Sequence, residues 1–144
     1  MISYLFKVCG QMNDDIISSV KVHAIYIPVE IRLSKHEVRK TSHLIVELNT
    51  QAGVIGVGEG TPYGIRGRTY SNFYNAYLLC KKLVEKLKGK KLIEAKSMLP
   101  QLQKQFIEKP YFDYAPFLAL ETAVIDAISK LEKIPFSRIL GGSF

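Results

Sequence analysis

The sequence is poor in the residues that build metal and disulfide sites: 2 cysteines and 3 histidines among 144 residues. Cys9 and Cys80 lie far apart and form neither a CxxC pair nor a metal-ligand spacing, which argues against a zinc module and a disulfide framework. They read as ordinary thiols of a reducing, cytoplasmic compartment, with Cys80 in the core. His23, His36 and His43 show no ligand spacing either, and each reads as solvent-facing or structural. No apolar run is long enough to span a membrane. The opening MISYLFKVCGQM has one lysine and a short apolar patch before Asp14–Asp15, a poor signal peptide. Residues 1–18 read as a leader, disordered or an artefact of an early start, with Met12 as the alternative initiator.

Low-complexity segments are also missing, and 47% hydrophobic with 23% charged residues is the composition of a folded domain. A chain of this length buries roughly two-thirds of its unfolded surface and can fold alone. Acidic residues are the scarcer charge, so the net charge is +7. That permits an anionic partner, or a solvated lysine-rich face such as Lys81–Lys91.

Periodicity predicts α+β architecture, a three-stranded antiparallel meander followed by a bundle of about three helices. Val20 to Leu33 is strand-like. Val20, Val22 and Ala24 hold one phase, while Ile25, Ile27, Val29, Ile31 and Leu33 hold the other, which predicts a bulge near Ala24. Pro28 marks an edge strand. Leu33–Ser42, polar and basic, reads as a loop. Leu44, Val46 and Leu48 alternate in a second strand, and a turn with Gly53 leads to a third, Val54–Gly60. Thr61–Tyr70 is a second loop. A helix is expected from a Ser71 cap to about Lys88, with Gly89 as its stop. Leu92 to about Phe106 is a second helix, kinked or split at Pro100. Tyr114–Lys133 is the third. Phe117, Leu120, Val124, Ala127, Ile128 and Leu131 form its stripe, with Leu118 and Ile125 well off it, so this helix is buried on two sides.

The third strand is unusual. Ile55, Val57 and Glu59 share one face, and Gly56, Gly58 and Gly60 leave the other bare. A bare face suits either a tight internal helix contact or the approach of a second domain or ligand. Glu59, on the apolar side of the strand end, wants an arginine or backbone N–H partner. It reads, with the three glycines, as structural support for the second loop.

Three features recur in order: IPVEIRL, VELNTQAGVIGVGEGTP and ALETAVIDAISKLEKIPFSRILGG. Together they resemble the N-terminal capping domain of the mandelate racemase/muconate lactonizing enzyme group of the enolase superfamily, over residues 19–142. The resemblance implies a cap over the open end of a C-terminal (β/α)-barrel of the same polypeptide, in a homo-oligomeric full-length enzyme. That barrel would hold Mg²⁺ and a base that removes a proton α to a carboxylate. No such base and no cluster of three acidic ligands is recognisable in the sequence, so no catalytic or metal-binding residue is assigned and the fragment alone is expected to be inactive. One departure is Ile125, where the family often carries tryptophan, a residue this chain lacks.

The resemblance makes Leu33–Ser42 and Thr61–Tyr70 the substrate-selecting loops. Lys35 and Arg39 in the first, and Tyr63, Arg66, Arg68 and Tyr70 in the second, would form a basic rim for a small anionic carboxylate substrate. PYGIRGRTY partly matches the PY-x-x-x-G loop of some dipeptide epimerases; those loops often carry an acidic residue where Arg68 stands. A lactonising cycloisomerase or acid-sugar dehydratase fits as well. Two other classes compete: a stand-alone binding module with the cap fold, and a basic nucleic-acid binder. The lysines of 81–91 have no interleaved aromatics of the single-strand-binding kind, so nucleic acid is not expected as a partner, nor is a membrane.

Overall fold

The computed structural model describes residues 15–33, 36–62, 73–106 and 113–142, with 31–33 and 36–39 by their backbone alone. Three strands, β1 (Ile17–Leu33), β2 (His36–Thr50) and β3 (Ile55–Gly60), form an antiparallel meander in the order β1-β2-β3. Helices α1 (Phe73–Leu87), α2 (Leu92–Lys104), α3 (Ala115–Glu132) and the short α4 (Phe136–Ile139) follow. The expected α+β class and meander are therefore present.

The first expected loop is largely strand. β1 and β2 continue as a hairpin out to Leu33 opposite His36, and only residues 34–35 separate them. The polar stretch is strand all the same, because its backbone pairs along the hairpin whatever side chains it carries. The bulge is also displaced. Register runs unbroken from Ser19 to Pro28, with irregularities between Ile17 and Ser19 and between Pro28 and Ile31. The change of apolar phase at Ala24 is instead a change of side. Val20 and Val22 pack on the core, whereas Ile25 and Ile27 point outward and are exposed. The strand starts at Ile17, within the stretch read as leader. Ile17 is fully buried, its N–H donates to the Lys90 carbonyl, and the Gln51 N–H donates to the Ile16 carbonyl.

Leu44, Val46 and Leu48 form the buried face of β2 and share one core with Cys80, Leu83 and Leu87 of α1, Leu92 and Leu99 of α2, and Leu120 and Val124 of α3. Gly89 ends α1 with a φ of +78°, a conformation glycine adopts without strain. Helix α2 runs through Pro100 to Lys104 without splitting. Ile125 is buried by the chain's own residues, while Leu118 stays half exposed, so only part of the second side of α3 is free.

The bare strand face is the seat of α3. A Cβ on Gly56, Gly58 or Gly60 would lie 2.2, 2.0 and 2.0 Å from the carbonyl oxygens of Ala123, Ala119 and Ala115. The periods match. Two strand residues advance about 6.7 Å and four helical residues about 6.0 Å. Alternate glycines therefore meet every fourth alanine as helix and strand run antiparallel. No side chain separates the two backbones, so helix and strand are locked in position and depth.

Candidate functional site

The middle of β2, the end of β3, and the starts of α1 and α3 come together in one region of the domain. Gly60 meets Ala115 there, Tyr26 meets Phe73, and Leu44 pairs with Gly60. Asp113, buried, accepts the Ala115 N–H at 2.8 Å and anchors the first turn of α3 beside the end of β3.

On the outer face of this region a polar ring joins the two strands. Thr41 Oγ1 lies 2.7 Å from His43 Nε2, and His43 Nδ1 lies 2.6 Å from Glu59 Oε1. The Thr61 hydroxyl donates to Glu59 Oε1 at 3.2 Å and sits 3.1 Å from His43 Nδ1. An Nδ1–H donated to the carboxylate leaves Nε2 to accept from Thr41, and a protonated ring donates at both nitrogens. Either way the imidazole is held at both ends. The hydrogen bond from His43 comes first in holding the Glu59 carboxyl below its ordinary value of 4.5. His43 is mostly buried at 17% side-chain exposure and Glu59 is open at 54%.

Glu59 therefore stands on the outward face of β3, and its partners are a histidine and a threonine instead of the arginine or backbone N–H anticipated. The signal for His43 was present in the hairpin. Once Asn49 is paired with Ile55 across the turn, Ile45 falls opposite Glu59 and His43 falls next to Thr61.

The free edge of β3 is also occupied. Asp126 Oδ2 accepts the Val57 N–H at 2.8 Å, and Lys130 Nζ donates to the Ile55 carbonyl at 2.8 Å. Asp126 and Lys130 are themselves paired at 2.6 Å, one helical turn apart. Their side chains take the place of the peptide groups of a fourth strand. Their helical spacing is visible in sequence; the strand edge beneath them is not.

Of the sequence-predicted site residues, Gly56, Gly58, Gly60 and Glu59 are placed as above. Arg39 is placed by its backbone only, in β2. Lys35, Tyr63, Arg66, Arg68 and Tyr70 lie outside the described residues, as does the Ser71 cap. Among the described residues no group of three or more His, Cys, Asp or Glu side chains could hold a metal ion, so these residues do not fit a Mg²⁺ site. None of the described helices is long and apolar enough to cross a membrane. Cys80 is buried, and burial pushes its thiol up to about 12, which leaves it unreactive as a nucleophile.

The fold is shared with several solved enzymes. The crystal structure of dipeptide epimerase from Enterococcus faecalis V583, complexed with Mg and the dipeptide L-Leu-L-Tyr, matches at 22% identity and a TM-score of 0.69, over 88% of this chain and 34% of that one. L-talarate/galactarate dehydratase from Salmonella typhimurium LT2 matches at 17% identity and a TM-score of 0.69, over 91% of this chain and 34% of its own. Muconate lactonizing enzyme matches at 21% identity and a TM-score of 0.65, over 88% of this chain and 32% of its own. The chain thus spans about a third of the length of these structures. Among curated proteins, no sequence matches significantly. The family model described as mandelate racemase / muconate lactonizing enzyme, N-terminal domain, matches residues 16–141, and the chain belongs to that family.

Proposed function

We propose that this domain is the substrate-specificity cap of a Mg²⁺-dependent isomerase or lyase that removes a proton α to a carboxylate. The observation that supports it most directly is the family match over nearly the whole chain, together with its span of about a third of solved relatives. The rest of such an enzyme would be a C-terminal (β/α)-barrel of the same polypeptide, acting as a homo-oligomer in the cytoplasm. Mg²⁺, bound to that barrel, would stabilise the enolate formed on proton removal. The cap's share is recognition. Lys35 and Arg39 on the hairpin, and Arg66 and Arg68 between Pro62 and Phe73, would supply a positive rim that attracts an anionic group distal to the reacting carboxylate and pairs with it. Tyr63 and Tyr70 would add hydroxyl donors or an apolar wall. The substrate is then a dipeptide, a lactonisable diacid or an acid sugar.

The test is to read the native transcript past the codon for Phe144 and assay the encoded protein with Mg²⁺ in D₂O against those three substrate classes. Exchange of the α-proton, abolished by chelation and absent from the 144-residue chain alone, is the expected result. A genuine stop codon with no exchange would leave a binding module with the cap fold and end the enzyme reading.

A further inference from the structure

The side of the sheet turned away from the helices is more apolar than a sheet face in water should be, since such a face ordinarily reads polar. It carries Ile25 and Ile27 on β1, Ile45 on β2, and Ile55 and Val57 on β3. Ile45, on the central strand, is partly buried by its neighbours, and the other four are 41–47% exposed. Register sets them in adjoining rows: Asn49 beside Ile55, then Lys21–Glu47–Val57, then His23–Ile45–Glu59, then Ile25 beside His43. The helical layer lies on the opposite side, and α4 packs against α3 within it, so no described element covers this face.

We propose that this face is an interface between two copies of the chain, packed sheet against sheet about a two-fold axis. The proposal does not depend on the cap reading above. Charge selects a second copy as the occupant. The formal charges on these rows are Lys21, Glu47 and Glu59, a sum of −1 on a chain of net +7. Lys21 and Glu47 already pair at 3.6 Å. Two copies repel wherever their lysine-bearing surfaces meet, whereas here they approach without that cost, and a strongly charged foreign partner finds no field to steer it. The row His23–Ile45–Glu59 is also complementary to itself. A two-fold axis along β2 lays β1 of one copy over β3 of the other, which sets Ile45 against Ile45 and His23 against Glu59. Both bonds that Glu59 makes within the polar ring go to Oε1, which leaves Oε2 without a bond among the described residues. Strand spacing and rise give the face about 400 Å² per copy, half the roughly 800 Å² of a standard interface. The dimer is therefore a weak one that forms as the chain is concentrated.

Sedimentation equilibrium of the 144-residue chain tests this, with Cys9→Ser to remove Cys9 as a route to disulfide-linked dimers. The mean mass should climb with concentration from 16.3 kDa toward twice that value. The dimer should hold or tighten as salt is added, because salt screens the repulsion between copies and leaves apolar burial intact. Ile25→Lys and Val57→Lys, both at exposed positions, should each raise the dissociation constant by at least about tenfold, since the two-fold brings every added charge into the interface twice. Leu78→Lys, at an exposed apolar position on α1, should leave it unchanged. Protection of the buried Cys80 from a thiol reagent separates a lost dimer from a lost fold, and should one lysine variant expose Cys80, the other carries the test. A mass of 16.3 kDa at every concentration, a dimer that dissociates in salt, or one that Leu78→Lys breaks and the sheet variants leave intact overturns the proposal. A dimer of this chain whose longer product exchanges no α-proton keeps the interface and loses the enzyme reading; exchange by a product whose cap stays monomeric does the reverse.

Discussion

Gly58→Ala tests the contact on which the whole arrangement rests. The new Cβ would lie 2.0 Å from the Ala119 oxygen and 2.5 Å from the Ala123 nitrogen. Both obstacles are main chain, so no rotamer relieves them. Helix α3 would have to withdraw until the 2.0 Å approach opened to at least 3.4 Å. Withdrawal would loosen the neighbouring contacts at Gly56 and Gly60 and stretch the Asp126 bond to Val57. Overpacking of this kind costs about 1–3 kcal/mol where side chains can yield, and more where they cannot. Restricting the unfolded chain returns about 0.4–1 kcal/mol. A net loss of about 3 kcal/mol is expected. In urea, with a slope of about 2 kcal/mol/M, the midpoint falls by about 1.5 M. Gly53→Ala is the control. Its Cβ meets open space, but its φ is +81°, so the loss is backbone strain of about 1 kcal/mol. Ala119→Gly added to Gly58→Ala should rescue little, since the obstacle is an oxygen that glycine also carries. A Gly58→Ala chain within about 0.5 kcal/mol of the parent would refute the close approach of helix and strand.

Asp126→Ala removes the acceptor for the Val57 N–H and should lower stability by about 1 kcal/mol in the same urea assay, whereas Asp126→Asn, which keeps an acceptor oxygen, should lose less. Because the folded Glu59 carboxyl lies below its ordinary value, its contribution is complete above 4.5 and is lost as pH falls through the lower folded value. Glu59→Gln should therefore be less stable than the parent at neutral pH and should lose less on acidification, and urea midpoints that fall in parallel would count against the His43–Glu59 bond. With its thiol raised to about 12 by burial, Cys80 should resist a thiol reagent in the folded Cys9→Ser chain and react fully in urea.

Much of the architecture was legible because it is written in local periodicity. The alternation of Leu44, Val46 and Leu48, the turn at Gly53 and the stripe on α3 each report one face of one element. The hairpin tip was not legible. A polar strand carries no apolar alternation, so residues 36–42 looked like a loop. The phase change at Ala24 was visible, yet its meaning, that the later apolar residues face outward and stay exposed, depends on which side of the sheet the core occupies. At the candidate site, Glu59 stood out as a lone carboxylate among glycines. His43 did not, because its role depends on strand register, and the work of Asp126 and Lys130 depends on which strand edge α3 covers.

The sequence by itself determined the class, the order of elements and the bareness of one face of β3, since these follow from residue size and spacing along the chain. It left open what that bare face was for: glycine permits the approach of anything. Only the tertiary structure decided that the occupant is α3. The alanine carbonyls fill the space, the helix and strand repeats agree closely enough to pair them three times, and no gap remains on that face for a ligand or a second domain.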